Sequence, residues 1–352
     1  MKLFFLICIL SQVFLPDSLD RKVEQLHDSI VSIDTHNDFA MLLAFPDLEP
    51  SVEKGQVSFE LMKEGRLDAA FYAAYQAQGP CTEKGHENAK FLADSMLLAL
   101  HRYATEFKHL GGIAYTAQDV KDLKAQGRAA MLLSIENAYC LGEDISLVEH
   151  YYNLGVRMIG LTHNGDNCVS DAATDTTETH GGLSAFGYEV IAEMNRLGII
   201  VDVSHASRKA CLQAVEASRT PIMASHSGVY ALKPIPRNLT DKEIVAIAEK
   251  GGLIQISIGR YFLSTLPRAQ VGIPHLIEHI NYVVELVGID HVGIGSDFDG
   301  GGGIIGVANM GEMKAITRAL LEEGYSDRDI GKLWGGNVLR IMEIARQQAG
   351  SF

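Results

Sequence analysis

Eight short, largely β-branched apolar runs recur along the chain, most of them separated by longer amphipathic stretches, and this alternation constrains the fold most. The runs are Val31–Asp34, Ala69–Ala74, Ala130–Ser134, Met158–Leu161, Ile199–Val203, Pro221–Ala224, Leu253–Ile256 and Val292–Ile294. Strands that are apolar almost throughout are buried on both faces, as in a parallel sheet covered by helices. The stretches between them carry helix punctuation. Ser184–Arg196 stops at Leu197–Gly198, and Thr240-Asp-Lys-Glu243 opens a helix that ends at Gly251–Gly252. Eight such strand–helix units predict an α/β chain folded as a (β/α)8 TIM barrel. An open doubly wound sheet would want G-x-G-x-x-G after an early strand, and none is present. With no repeat and no linker, residues 19–352 read as one domain.

Ahead of that domain, Lys2 precedes the apolar run Leu3–Leu10, continued by Val13-Phe14-Leu15. Residues 1–18 therefore read as a signal peptide with a poor cleavage site, which makes the chain an exported one, periplasmic or secreted. An uncleaved anchor or a buried helix is the rival reading of that segment. The chain holds 44 Asp plus Glu against 30 Lys plus Arg, a formal charge of −14, with no basic cluster. Such a surface would release no counterions from a phosphate backbone, so nucleic acid is excluded as a partner. Cys81, Cys140, Cys168 and Cys211 contain no C-x-x-C pair; disulfides are permitted but not required.

Thirteen histidines are many for an acidic chain, and the informative ones follow the predicted strands. The first strand ends in Asp34-Thr-His36-Asn-Asp38, the third in Glu136 and the fourth in His163. The fifth ends in His205, the sixth in His226 and the eighth in Asp297. In a barrel these ends converge on one face, where active sites are built. His36 and Asp38, two residues apart on an extended segment, lie on the same side and can grip one ion. His205 and His226 can hold a second, and a carboxylate such as Glu136 can bridge the pair. Imidazole and carboxylate without thiolate favour two Zn²⁺ ions, with Mn²⁺ or Co²⁺ tolerable. A water acidified between two ions could attack an amide, with Asp297 placed to pass its proton to the leaving amine.

At these residues the chain resembles the membrane (renal) dipeptidases, peptidase family M19 of the amidohydrolase barrel superfamily. The resemblance is carried by IDTHNDFA (33–40), SIEN (134–137), LTHN (161–164), DVSHAS (202–207), ASHSGVYAL (224–232), PRNL (236–239) and GIGSDFDG (293–300). The stretch 180–205 looks like the bacterial branch. The resemblance implies a binuclear zinc dipeptidase, including action on dipeptides with a C-terminal D-residue. It implies the same ligand set of His36, Asp38, Glu136, His205 and His226. It further implies that His163 meets the substrate carbonyl or oxyanion, and that Asp297 is the acid/base. Arg237 would pair with the dipeptide carboxylate, which a planar guanidinium does bidentately, and Tyr75 would lie near the substrate amino end. Family members are often homodimers.

The chain departs from its animal relatives. Gly165 stands where they carry a cysteine, so a Cys81–Cys168 bridge is open to the chain but not inherited from the motif, and Gln347–Phe352 is no tail for a lipid anchor. His275-Leu-Ile-Glu278-His279 spells H-x-x-E-H, but it precedes the eighth strand and reads as a solvated helix face. Gly300–Gly303 reads as a mobile loop beside Asp297. The rival functions are another metal-dependent amidohydrolase, such as a lactonase or an N-acyl amino acid deacylase, and a non-hydrolytic maturation or binding protein.

Overall fold

The computed structural model describes residues 18–45 and 55–350; the leader expected at 1–18 lies outside these except for Ser18. Nine strands are seen: β1 Ile33–Asn37, β2 Ala69–Tyr75, β3 Gly111–Ile113, β4 Ala129–Glu136, β5 Val156–Gly160, β6 Ile200–Asp202, β7 Met223–Ser227, β8 Leu253–Ser257 and β9 Val292–Gly295. All pairings are parallel, in the order β1-β2-β4-β5-β6-β7-β8-β9. These eight are the expected barrel strands. The sequence reading missed β3, a Gly-Gly-Ile segment with no apolar run. It pairs with the start of β4, Gly111 opposite Ala129, and β5 takes up pairing with β4 from Leu133.

The sheet closes where β1 meets the end of β9. Asn37 and Phe298 form a parallel bridge, with Asp297 N donating to His36 O at 3.0 Å and Asp38 N to Phe298 O at 2.9 Å. The Asp34 carboxylate reinforces this seam by accepting from Ser296 N and Ser296 Oγ, both at 2.6 Å. Burial pushes Asp34 up to about 6, against the pull of the Ser296 bonds.

Every residue of β4 and nearly every residue of β2 is buried, as strands covered on both faces must be. The helix Ala185–Leu197 is capped by Ser184, whose side chain accepts from Gly187 N, and ends on Gly198 at φ 79°. The expected capping box is present, Thr240 N donating to Glu243 Oε2 at 2.9 Å. The C-terminal helix Asn337–Gln348 packs Val338, Ile341, Met342 and Ala345 in one cluster with Ile33, Ala69, Ile200, Met223 and Leu253, the first residues of their strands. Apolar side chains thus fill the N-terminal end of the barrel, and polar ones gather at the other. Among the described residues no helix is long and apolar enough to cross a membrane.

Candidate metal centre

The polar end of the barrel opens into a cavity of about 450 Å³. Its lining includes Asp38, Tyr75, Glu136, His163, His205, His226, Arg237 and Asp297. His36 sits beneath these, so every residue expected at the site is brought to one place. Tyr75 and Glu136 are the last residues of β2 and β4, and His36 and His226 the fourth residues of β1 and β7; Asp38, His163, His205 and Asp297 follow their strands by one to three residues, and Arg237 comes from the longer loop after β7. His205 at φ 69° and Asp297 at φ 60° take left-handed backbone conformations, as do Asn137 and Asp299. Such conformations cost free energy and are characteristic of functional positions.

Glu136 is the hub. Its Oε2 lies 3.5 Å from His36 Nε2, while its Oε1 lies 3.0 Å from His205 Nε2 and 3.4 Å from His226 Nε2. Asp38 Oδ2 is 3.6 Å from His36 Nε2. The Asp297 carboxylate completes a group with His36 and His226 in which the closest ligand atoms are within 4.8 Å of one another. Burial pushes His205 and His226 well below the ordinary imidazole value, Arg237 adding to the effect in both, so each ring carries a single proton.

The surrounding hydrogen bonds say where that proton is. Ser225 Oγ donates to Asp202 Oδ2 at 2.6 Å, so at 2.9 Å it accepts from His226 Nδ1. His205 Nδ1 donates to Asn164 Oδ1 at 3.1 Å. Both Nε2 atoms are therefore bare lone pairs, 3.0 Å apart, directed at a carboxylate that also lacks a proton. Three acceptors meeting without a donor between them are repulsive unless a cation lies there. His36 Nε2 and Asp38 Oδ1 are buried with no hydrogen-bond partner, which costs a few kcal/mol per group when uncompensated. Burial disfavours charge on His36, but Glu136 and Asp38 outweigh it and raise its pKa well above the ordinary value. The chain alone thus meets its buried carboxylates with a proton, where a metal ion would do the same. The donor set fits the expected metals.

Cavity-facing groups complete the site. The Tyr75 and His163 rings meet edge-on at 4.7 Å, and His163 lies 4.2 Å from the His205 ring. Burial lowers the His163 pKa, Glu136 partly restoring it. Burial lifts Asp297 to about 7, helped by Asp38 and Glu136 and opposed by His36. Arg237 is buried, donates to His226 O at 3.2 Å and lies 5.2 Å from the centre of the Phe262 ring. No carboxylate lies within ion-pair distance of it among the described residues.

Two expectations are corrected. The glycines after Asp297 do not make a loose loop. Gly300 N and Gly302 N donate to Asp297 O, Gly303 N donates to Ile258 O, and a Cβ on Gly300 would overlap Asp38 Oδ2. These glycines let the backbone close over both carboxylates. H-x-x-E-H is a solvated face only in part: Glu278 is exposed and His275 half-buried, but His279 is wholly buried. Its Nδ1 accepts from Val229 N at 3.0 Å and its Nε2 donates to Leu263 O at 3.1 Å, tying the loops that carry Arg237 and Phe262. Sequence reasoning gave no role to Asn164, Asp202, Ser225, Tyr261, Phe262 or Arg268. Asp202 lies in the DVSHAS motif and Asn164 in LTHN, but each acts on a histidine of a neighbouring strand, which the motifs themselves do not report.

A parallel barrel with imidazoles and carboxylates converging at its C-terminal strand ends is the framework of a metal-dependent hydrolase. The family model for membrane dipeptidase (peptidase family M19) matches residues 20–351. Dipeptidase aclJ of Aspergillus oryzae is 32% identical over 362 residues, covering 97% of this chain and 85% of its own. The crystal structure of the probable dipeptidase PvdM from Pseudomonas aeruginosa superposes with a TM-score of 0.88 at 30% identity, covering 95% of this chain and all of that one. A metallopeptidase from Rhodobacter sphaeroides, liganded with a phosphinate mimic of the dipeptide L-Ala-D-Ala, superposes with a TM-score of 0.82 at 26% identity, over 90% and 99% of the two chains. The chain belongs to the M19 family of metal-dependent dipeptidases.

Proposed function

We propose that this protein is a binuclear zinc dipeptidase whose range includes dipeptides ending in a D-residue. The observation that carries the reading is the convergence of bare His205 Nε2, bare His226 Nε2 and Glu136 Oε1 beside the unpartnered His36 Nε2 and Asp38 Oδ1. His36 and Asp38 would hold one ion, His205 and His226 the other, and Glu136 would contribute one oxygen to each. Two such ions polarise a carbonyl and make water a competent nucleophile at neutral pH.

The chain's own groups do the rest. Arg237, buried and without a carboxylate partner among the described residues, receives the C-terminal carboxylate, and its electrostatic demand selects a two-residue substrate. His163 donates a hydrogen bond to the carbonyl oxygen as charge develops there. Asp297 takes up a proton and delivers it to the departing amine nitrogen. Tyr75 closes the side of the cavity facing the substrate amino end. The D-residue is supported by the ligand of the Rhodobacter sphaeroides enzyme, whose chain superposes over nine-tenths of this one.

Metal analysis with turnover on a panel of L,L and L,D dipeptides tests this reading. The expected result is two zinc ions per chain, cleavage of both stereochemical series, and loss of turnover in Asp297→Ala. Arg237→Lys should raise KM by about tenfold to a hundredfold with a smaller change in kcat, the loss of one or two charge-assisted hydrogen bonds. Zinc-loaded protein that cleaves no dipeptide would overturn the proposal.

A further inference from the structure

Outside the cavity, three soft or borderline ligands meet on two segments that follow barrel strands. Cys81 lies in the connection after β2, His86 in the first turn of the helix Glu83–Glu106 that follows it, and Cys168 in the connection after β5. Cys81 Sγ, Cys168 Sγ and a His86 ring nitrogen all lie within 4.8 Å of one another, and the two cysteines are not bonded. Cys168 Sγ is 3.6 Å from His86 Nε2. A tetrahedral zinc with ordinary bond lengths to sulfur and imidazole nitrogen separates those two atoms by about 3.6 Å. None of the three lines the dipeptidase cavity.

The backbone around them is held for the purpose. Thr82 caps the helix by accepting from Gly85 N, and a side chain at Gly85 would overlap Pro80 O and the Tyr139 hydroxyl. Tyr139 Oη donates to Pro80 O at 2.7 Å, and its ring meets the His86 ring edge-on at 5.2 Å. The same tyrosine thus braces His86 and the residue that precedes Cys81. Cys81 is exposed, which leaves an approach for an ion and a coordination position for water.

We propose that Cys81, His86 and Cys168 form a second metal site, separate from the dipeptidase centre, that takes one thiophilic divalent cation of the zinc class. Binding releases the two thiol protons to solvent. The ion ties the segment that continues from Tyr75 to the segment that continues from His163, the two rings that meet over the cavity. It acts as a clip on the cavity wall and takes no part in the hydrolysis.

The dipeptidase cluster contains no thiolate, so a spectroscopic signature separates the two sites. The full chain, reduced, stripped of metal and reloaded with Co²⁺, should show near-ultraviolet thiolate-to-cobalt charge-transfer absorption. That absorption should vanish in the Cys81→Ser/Cys168→Ser protein and weaken in His86→Ala. With zinc, the double variant should bind one ion fewer per chain while still cleaving dipeptides, which shows that it has folded. If the double variant does not fold, His86→Ala alone carries the test, since it removes a ligand and leaves both cysteines in place. Absence of the absorption in the unaltered chain would overturn the site. So would finding Cys81 and Cys168 joined, two hydrogens lighter, in the purified protein. Neither result bears on the dipeptidase reading, which rests on other residues.

Discussion

In the proposed metal centre, His226 is oriented by a residue that would contribute nothing to the metal itself. Ser225 accepts the Nδ1 proton while giving its own proton to Asp202, and Asp202 is held in turn by Ser204 N and Ser225 N. Ser225→Ala removes the acceptor, frees the ring to exchange tautomers and leaves Asp202 one bond short. Metal affinity should fall about tenfold to a hundredfold, the usual cost of losing a group that orients a ligand. A chelator competition would show it, and an unchanged affinity would sink the tautomer argument. The contrast with the proposed ligands and acid/base shows what a sequence exposes at this scale. His36, Glu136, His205, His226 and Asp297 were legible because each stands at a predicted strand end, where position alone supplies direction. Ser225 and Asn164 act through geometry between strands, and no spacing within one strand reports that. Arg237 was legible only through the family motif, since it sits in a loop whose path the apolar pattern does not describe.

At the scale of elements, the barrel depends on a seam with little ladder. β1 and the end of β9 share one bridge and two flanking backbone bonds, so the Asp34–Ser296 pair supplies much of the join. The same seam sets His36 and Asp38 against Asp297. Ser296→Ala leaves Asp34 Oδ2 buried without its donor, which should cost about 1–3 kcal/mol. Urea unfolding would report that loss. Because Asp297 is the next residue, kcat should fall as well; a variant that lost stability with unchanged turnover would separate the seam from the site. The eight barrel strands were readable because burial on both faces leaves an uninterrupted apolar run. The seam was not, since a side chain carries it, and β3 was not, since Gly111 and Gly112 leave one apolar side chain in three. His279 was misread for a related reason. Its hydrogen bonds to Val229 and Leu263 satisfy both ring nitrogens inside the core, and its polarity alone made it look solvated like Glu278 on the same helix.

For the whole molecule, two buried histidines, one on the helix Ser18–Ser29 and one on the helix Ile273–Val287, set a common limit in acid. His27 ties the helix Ser18–Ser29 to the barrel: its Nδ1 donates to Arg66 O at 2.9 Å, and its Nε2 accepts from Thr317 Oγ1 at 2.7 Å. The direction of the second bond follows from the first, since a neutral ring that donates through Nδ1 accepts at Nε2; Trp334 Nε1 donates to the same hydroxyl at 2.8 Å. His279 ties the segments that carry Arg237 and Phe262. Burial pushes both down to about 4, from an ordinary 6.5, against the pull of their backbone carbonyls. Above pH 6.5 both are neutral whether the chain is folded or not, and they add no pH dependence. Between 6.5 and 4 the unfolded chain binds protons that the folded one excludes, so stability falls as pH falls, by about 1.4 kcal/mol per pH unit for each histidine. Below 4 the folded state accepts them too and the loss levels off near 3 kcal/mol apiece. Ordinary carboxylates titrate mostly below this window, so its upper part, from pH 6.5 to 5, isolates the effect. The difference in urea-unfolding free energy between those two values should shrink by about 2 kcal/mol in His279→Gln. Terms common to both proteins, the metal centre and the acidic surface among them, cancel in that comparison. Equal losses over the window would show that His279 accepts a proton while folded, and that its bond to Val229 N gives way without unfolding the barrel.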